Sequence, residues 1–232
     1  MHMSLTRTSI KFTGESGQGI NTIGKLLSKA LTNTSLYTFG YREYPSLIRG
    51  GVASFQIDFS NKKINSSSRY CNILLSFTQE SFDENLKTVS NNSLLIYDFE
   101  DLSISTKQKV FIKEKNIKLM NIDSNKIAID LGGTELMSNV VMLGFVWKIL
   151  NLNSEILIDT VLEYFKDKNI DTEMERRCIL GGYNSPTFRP ELSLEKTVPN
   201  KALFSKTPLT ISGNEAISLG AVASGVRAYY AY

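Results

Sequence analysis

The sequence predicts an α/β fold: a mostly parallel sheet flanked by helices, with an incomplete C-terminal extension. Three observations carry this expectation. A strand pattern runs directly into a glycine-rich loop and then an amphipathic helix, which is how a βαβ unit opens. Short apolar runs further on fit strands buried on both faces. Three helical patterns then follow one another between residues 138 and 182.

Taken in order, Thr8 to Thr13 alternates polar and apolar residues and reads as a strand. Gly14-Glu-Ser-Gly-Gln-Gly19 follows, and Ile20, Ile23, Leu26, Leu27, Ala30 and Leu31 then recur at helical spacing up to about Asn33. Ser35 to Phe39 is a second strand, followed by a polar loop with Tyr44-Pro45 that ends at Gly50-Gly51. Val52 to Phe59 is a third, with Phe55, Ile57 and Phe59 on one face. Asn72 to Phe77 is a buried strand, and Thr78, ahead of Ser81, is the expected cap of a helix bearing Phe82 and Leu86. Asn91-Asn92-Ser93 is a turn before a buried strand, Ser93 to Tyr97. Residues 100–130, rich in Lys and Ile, are expected to add one or two short strands. Ser138 or Asn139 should cap a helix reaching about Leu150; a second runs from Ser154 to Lys166. A third, Thr172 to Leu180, should stop at Gly181-Gly182. Residues 184–208 hold four of the five prolines and read as an extended linker. After it, Ile217, Leu219, Val222 and Val226 lie on an Ala/Gly-rich helix. One helix cannot form a core, so the natural protein is expected to continue beyond Tyr232.

Composition narrows the chemistry. The chain has 232 residues, 42% hydrophobic and 21% charged, with a net charge of +3. That charge argues for neither nucleic acid nor a membrane surface. His2, the single histidine, lies within Met-His-Met and reads as a cloning remnant, which leaves no histidine in the body of the chain. A Ser-His-Asp or Cys-His site therefore cannot be built within the chain, nor a His-rich zinc site. Cys71 and Cys178 stand apart with no C-x-x-C, so the chain ligates no iron–sulfur cluster alone. They read as small core hydrophobes in a reducing cytoplasm. No apolar run approaches the ~20 residues needed to cross a bilayer. Trp147 reads as core, and Lys62-Lys63, Lys107 to Lys118 and Glu173 to Arg177 as solvated faces.

Two motifs could carry chemistry. Gly14, Gly17 and Gly19 are spaced G-x-x-G-x-G, not as the dinucleotide fingerprint, and the next acid, Glu43, lies beyond the second strand. No Lys-Ser or Lys-Thr follows, so the Walker pattern fails too. What survives is general: glycines let backbone N–H groups approach a ligand, and a helix start favours an anion. The alternative is a tight turn that only permits close packing. The second motif is Tyr41-Arg-Glu-Tyr-Pro-Ser-Leu-Ile-Arg-Gly-Gly51. It follows a strand, which places it at the same sheet edge as the glycine loop. Arg42 and Arg49 could then contact phosphate or carboxylate, or could pair with Glu43 on the loop surface. Asp98 and Asp101 follow an apolar strand, with no partner acid or base identifiable.

These two motifs, with the helix between them, resemble the γ domain of 2-oxoacid:ferredoxin oxidoreductases. The Tyr44-Pro-Ser46 form resembles the version fused ahead of the α, pyrimidine-binding domain, typical of 2-oxoglutarate-type enzymes. Asn139 with Leu143-Gly144, then Gly213-Asn-Glu-Ala216, Leu219-Gly-Ala221 and Tyr229 to Tyr232, agree with it. Ser16 stands where the family usually has Gly, and residues 100–130 match poorly. The resemblance implies a Rossmann-like γ domain over 8–185, a Pro-rich linker over 186–208 and the start of the α domain over 209–232. It implies oxidative decarboxylation of a 2-oxoacid to an acyl-CoA with reduction of ferredoxin. The complex uses thiamine diphosphate, Mg2+, 4Fe–4S clusters and coenzyme A, none bound by this chain alone. Partners are the β subunit, the remainder of the α domain, ferredoxin through the complex, and a second copy of the chain. The implied ligand-facing residues are Gly14, Gly17, Gln18, Gly19, Tyr44, Pro45, Ser46, Arg49, Gly50 and Gly51. No catalytic residue and no metal ligand is implied. The alternative is a free-standing Rossmann-like nucleotide-binding protein.

Overall fold

A computed structural model describes residues 7–44, 51–168, 170–192 and 210–231. Six strands form one sheet in the order β2-β3-β1-β4-β5-β6. They are β1 (Thr8–Glu15), β2 (Tyr37–Glu43), β3 (Val52–Ser60), β4 (Cys71–Ser76), β5 (Val89–Tyr97) and β6 (Lys118–Asn121). β3 pairs antiparallel with both β1 and β2, while β1, β4, β5 and β6 pair in parallel. The sheet is therefore mostly parallel, with β3 alone reversed.

The helices are α1 (Ile20–Asn33), α2 (Gln79–Asn85), α3 (Thr106–Glu114), α4 (Ser124–Asp130), α5 (Ser138–Ile149), α6 (Ser154–Phe165), α7 (Thr172–Tyr183) and α8 (Gly213–Ala223). Alternation along the strands divides them between two cores. Ile10, Phe12, Phe55, Ile57, Phe59, Ile73 and Leu75 face the large core under α1, α5 and α6. Cys71, Leu74 and Leu95 face a smaller one with Phe82 and Leu86. Thr78 caps α2 and exchanges hydrogen bonds with Ser81 in a capping box, as its position suggested.

Trp147 is fully buried and its indole N–H donates to the Asn153 carbonyl. Cys71 and Cys178 are also fully buried. α5 and α7 cross closely because Gly144 and Gly182 meet at the crossing. A Cβ on Gly182 would lie 1.8 Å from the Val141 carbonyl oxygen, and one on Gly144 2.0 Å from that of Ile179.

Several expectations are corrected. β2 starts at Tyr37 and runs to Glu43, because Ser35 takes a left-handed turn at φ 66°. Arg42 and Glu43 thus stand on a strand and not in a loop. Residues 100–130 hold one short strand, β6, as expected, but also two helices, α3 and α4, that were not. α3 buries no residue fully, so its sequence shows only weak periodicity and a Ser105–Gln108 capping box. Neither Ser138 nor Asn139 caps α5, which continues from a 3-10 turn at Glu135–Met137. Gly181 and Gly182 lie inside α7, where close packing requires them, and stop nothing. Glu175 is buried, not solvated, and its Oε2 has no hydrogen-bond partner. Phe188 and Leu192, at the start of the expected linker, pack on the large core; residues 193–209 lie outside those described. No described residue of α8 is buried. The Thr210 hydroxyl nevertheless bonds the Thr32 hydroxyl at the end of α1.

Candidate functional site

The two sequence motifs meet at one end of the sheet. β1 ends at Glu15, whose partner on β3 is Val52, one residue after Gly51. β2 ends at Glu43, paired with Ser54 of β3, which in turn pairs with Thr13 of β1. The chain between β2 and β3 carries the second motif. Of its implied ligand-facing residues, Tyr44 and Gly51 are described; Pro45, Ser46, Arg49 and Gly50 lie outside the described residues.

The glycine loop is built by local rules. Gly17 has φ 107° and Gly19 φ 79°, a region costly for residues with a Cβ. Gly19 occupies the N-cap position of α1 without a side-chain cap; the Thr22 and Ile23 amides donate to its carbonyl, which leaves those of Ile20 and Asn21 at the helix start. Gln18 is exposed and folds back along the loop: its Oε1 accepts from the Glu15 amide at 2.7 Å. Asn139 of α5 closes over the loop, with its Nδ2 2.3 Å from where a Cβ on Gly19 would stand.

On the β2 side of the loop lies a cationic ledge. The Phe55 ring fills space left by Gly24 of α1 and Gly40 of β2, whose absent Cβ atoms would stand 2.3 and 3.0 Å from it. The Arg42 guanidinium lies 5.8 Å from the Phe55 ring centre and 5.9 Å from that of Tyr44. Arg42 Nη1 donates to the Tyr44 hydroxyl at 3.0 Å, which donates to Asn21 Oδ1 on α1 at 3.4 Å. Arg42 therefore does not pair with Glu43. Glu43 Oε2 accepts from Ser54 Oγ at 2.7 Å and from Lys11 Nζ at 2.9 Å. The Ser54 hydroxyl, then Lys11, hold its carboxyl below the ordinary carboxylate range, against an opposing effect of burial.

On the other side, an open cavity of about 820 Å³ lies beyond the ends of β4, β5 and β6. Asp98, Glu100, Asp101, Asp123 and Glu135 line it with Gly17, Gln18 and Asn139. Asp98 accepts from the Ser124 amide at 2.9 Å and from its hydroxyl. The chain thus places its own carboxylate at the start of α4, where an external anion would otherwise sit. Burial raises the Asp98 pKa, and the Ser124 bonds oppose the rise. This acidic wall was not recognised in the sequence, because its members come from three separated segments. With Asp98 and Asp101 following an apolar strand, one part of the signal was visible. Among the described residues no group of three His, Cys, Asp or Glu side chains could hold a metal ion. No described helix is long and apolar enough to cross a membrane.

The arrangement can receive an anion from the β2 side and repels one from the cavity side. Comparison with known proteins places it among relatives. Residues 9–184 match the family described as pyruvate ferredoxin/flavodoxin oxidoreductase. The chain is 24% identical to the 2-oxoacid:ferredoxin oxidoreductase subunit alpha of Sulfolobus sp, covering 97% of this chain and 40% of that subunit. The chain therefore spans about two fifths of that relative's length. It is similar to the 2-oxoglutarate:ferredoxin oxidoreductase of Magnetococcus marinus, solved with 2-oxoglutarate, coenzyme A and succinyl-CoA bound. The TM-score is 0.72 at 19% identity, over 97% of this chain and 38% of that one. It also resembles the keto/oxoacid ferredoxin oxidoreductase gamma subunit of Geobacter sulfurreducens. There the TM-score is 0.60 at 20% identity, over 77% of this chain and 95% of that one. These likenesses establish the fold, which is that of oxidoreductase domains of this kind.

Proposed function

This chain belongs to the pyruvate ferredoxin/flavodoxin oxidoreductase family, and on that premise we propose that it is the γ portion of a cytoplasmic 2-oxoacid:ferredoxin oxidoreductase. Residues 8–185 form the γ domain, on whose core Phe188 and Leu192 of the following segment still pack, and 209–232 are the first segment of the α, pyrimidine-binding domain. The parent enzyme decarboxylates a 2-oxoacid oxidatively to an acyl-CoA and reduces ferredoxin. We assign 2-oxoglutarate as the oxoacid, on the Tyr44-Pro-Ser46 form of the motif and on the similarity to the Magnetococcus enzyme.

Among the described residues no set of side chains suits Mg2+ or a 4Fe–4S cluster, and thiamine diphosphate is expected elsewhere in the complex. Cys71 and Cys178 belong to separate cores, and the described residues offer no metal-holding group. These cofactors are assigned to the β subunit and to the rest of the α domain. Coenzyme A, which supplies the thiol that takes the acyl group, fits this edge better. Its phosphates are polyanionic, and the acidic cavity repels them while Arg42 and the uncapped start of α1 attract them. Gly14, Gly17, Gln18, Gly19, Tyr44 and Gly51 would form the frame with Arg42. Pro45, Ser46, Arg49 and Gly50 would complete it from the intervening segment.

The observation that carries this reading is the meeting of the two motifs at one sheet edge, on opposite sides of β3. Calorimetry tests it. In the complex assembled with the β subunit, Arg42→Ala and Arg49→Ala should each weaken coenzyme A binding about tenfold, or ~1.4 kcal/mol. The chain alone should bind NAD, FAD and ATP no more tightly than about millimolar. Unchanged coenzyme A affinity in both variants would overturn the site. Binding of a nucleotide at about micromolar strength by the chain alone would favour a free-standing nucleotide-binding protein.

A further inference from the structure

The face of β1 opposite the large core is polar: Ser9, Lys11 and Thr13 alternate with Ile10 and Phe12. Lys11 is notable there. Its side chain is 7% exposed, while that of its partner Glu43 is 50% exposed. The pair does not join neighbouring strands. Lys11 is opposite Gln56 on β3, and Glu43 is opposite Ser54 on the other side of β3. The ammonium therefore reaches diagonally over β3, across two strand spacings of about 4.8 Å each. The lysine stem and the glutamate side chain make that span by reaching toward each other, and the lysine methylenes stay buried.

A buried ammonium is a poor device for stability, since an apolar side chain of similar volume generally serves as well. It does confer definite geometry. The strand carrying the glycine loop becomes tied to the strand carrying Arg42 and Tyr44. Alternation on β2 then puts Glu43 on the Lys11 face and Arg42 on the opposite face, against Phe55. Fixing Glu43 by two bonds to Oε2 fixes the rotation of the β2 end. That rotation sets where Arg42 and Tyr44 stand relative to Asn21. Among the described strands β2 is the edge strand, with β3 as its one partner, so no described strand holds this end from beyond it.

We propose that Lys11 is a positioning residue of the candidate site, acting through Glu43 to hold the Arg42–Tyr44 ledge against the glycine loop. This rests on the reading that the edge holds coenzyme A. The test uses Lys11→Met, Glu43→Gln and Lys11→Arg, with Arg42→Ala as reference. Amide hydrogen exchange is measured in the full chain, and KM for coenzyme A and kcat in the assembled enzyme. Lys11→Met and Glu43→Gln should each speed exchange at Arg42 to Tyr44 about tenfold and leave α5 amides unchanged. They should raise KM for coenzyme A about tenfold, with kcat changed less than about twofold. Lys11→Arg, which keeps the cation, should stay near wild type in both readouts. Unchanged exchange in both Lys11→Met and Glu43→Gln would overturn the proposal; should Lys11→Met fail to fold, Glu43→Gln decides alone. Faster exchange with unchanged KM would also overturn the positioning role. In that case Arg42→Ala separates the causes: a raised KM leaves the coenzyme reading standing, and an unchanged one removes it as well.

Discussion

The α5–α7 crossing and the glycine-loop edge both depend on glycine, for opposite reasons. At the crossing, Gly144 and Gly182 are helical, and what matters is missing volume: any Cβ would strike backbone carbonyls of the partner helix. At the edge, Gly17 has nothing within 4 Å of its absent Cβ, and what matters is φ 107°. The first glycine pair serves density, the second backbone freedom and exposed amides. The crossing is therefore a place that admits no change, and the edge a place open to solvent.

Substitution can break this contrast, and the crossing should show the largest effect. Gly182→Ala sets a methyl against a backbone oxygen that cannot swing aside, so it should cost more than about 3 kcal/mol in urea unfolding. A loss under about 1 kcal/mol would mean that the helices can separate freely, and the distinction would fall. Gly17→Ala meets no atom and bears only the strained backbone, about 1–2 kcal/mol by the same measurement. The smallest effect sharpens the crossing side. Burial, with Asp171 adding to it, pushes the Glu175 carboxyl upward. A raised carboxyl binds its proton more tightly in the folded state, so wild-type stability falls as pH rises from the ordinary carboxylate value through the raised one. Glu175→Gln should therefore stabilise at neutral pH by a few tenths to about 1 kcal/mol. The gain should vanish in acid below the ordinary carboxylate range. A thermal-unfolding series across pH that shows a constant difference would contradict this.

Much of the fold could be read before any coordinates. β1, α1, β3, β4 and α6 are amphipathic or wholly apolar over their full length, so burial and periodicity coincide with their bounds. The periodicity of α3 is weak because it buries no residue fully and only Phe111 and Ile112 rest partly buried on the smaller core. Gly181-Gly182 reads as a stop because glycine after a helical run usually is one; only the approach of α5 shows that the run continues. At the site, both motifs and their shared edge were legible. The direction of Arg42 was not: it stacks on Phe55 and Tyr44, and Glu43 turns to Lys11 instead.

By itself the sequence determined which chemistry this chain cannot perform alone. With one histidine and two cysteines, a multi-histidine metal site or a four-cysteine cluster site cannot be built from this chain alone whatever the fold. It also determined the αβ alternation, since hydrophobic period is a local property. Only tertiary structure decided the electrostatics of the site. Five carboxylates from three segments converge on one side of the glycine loop, and an arginine from an edge strand lies on the other. The net charge of +3 conceals that polarity, because charges distant along the chain become neighbours only when strands align and helices pack.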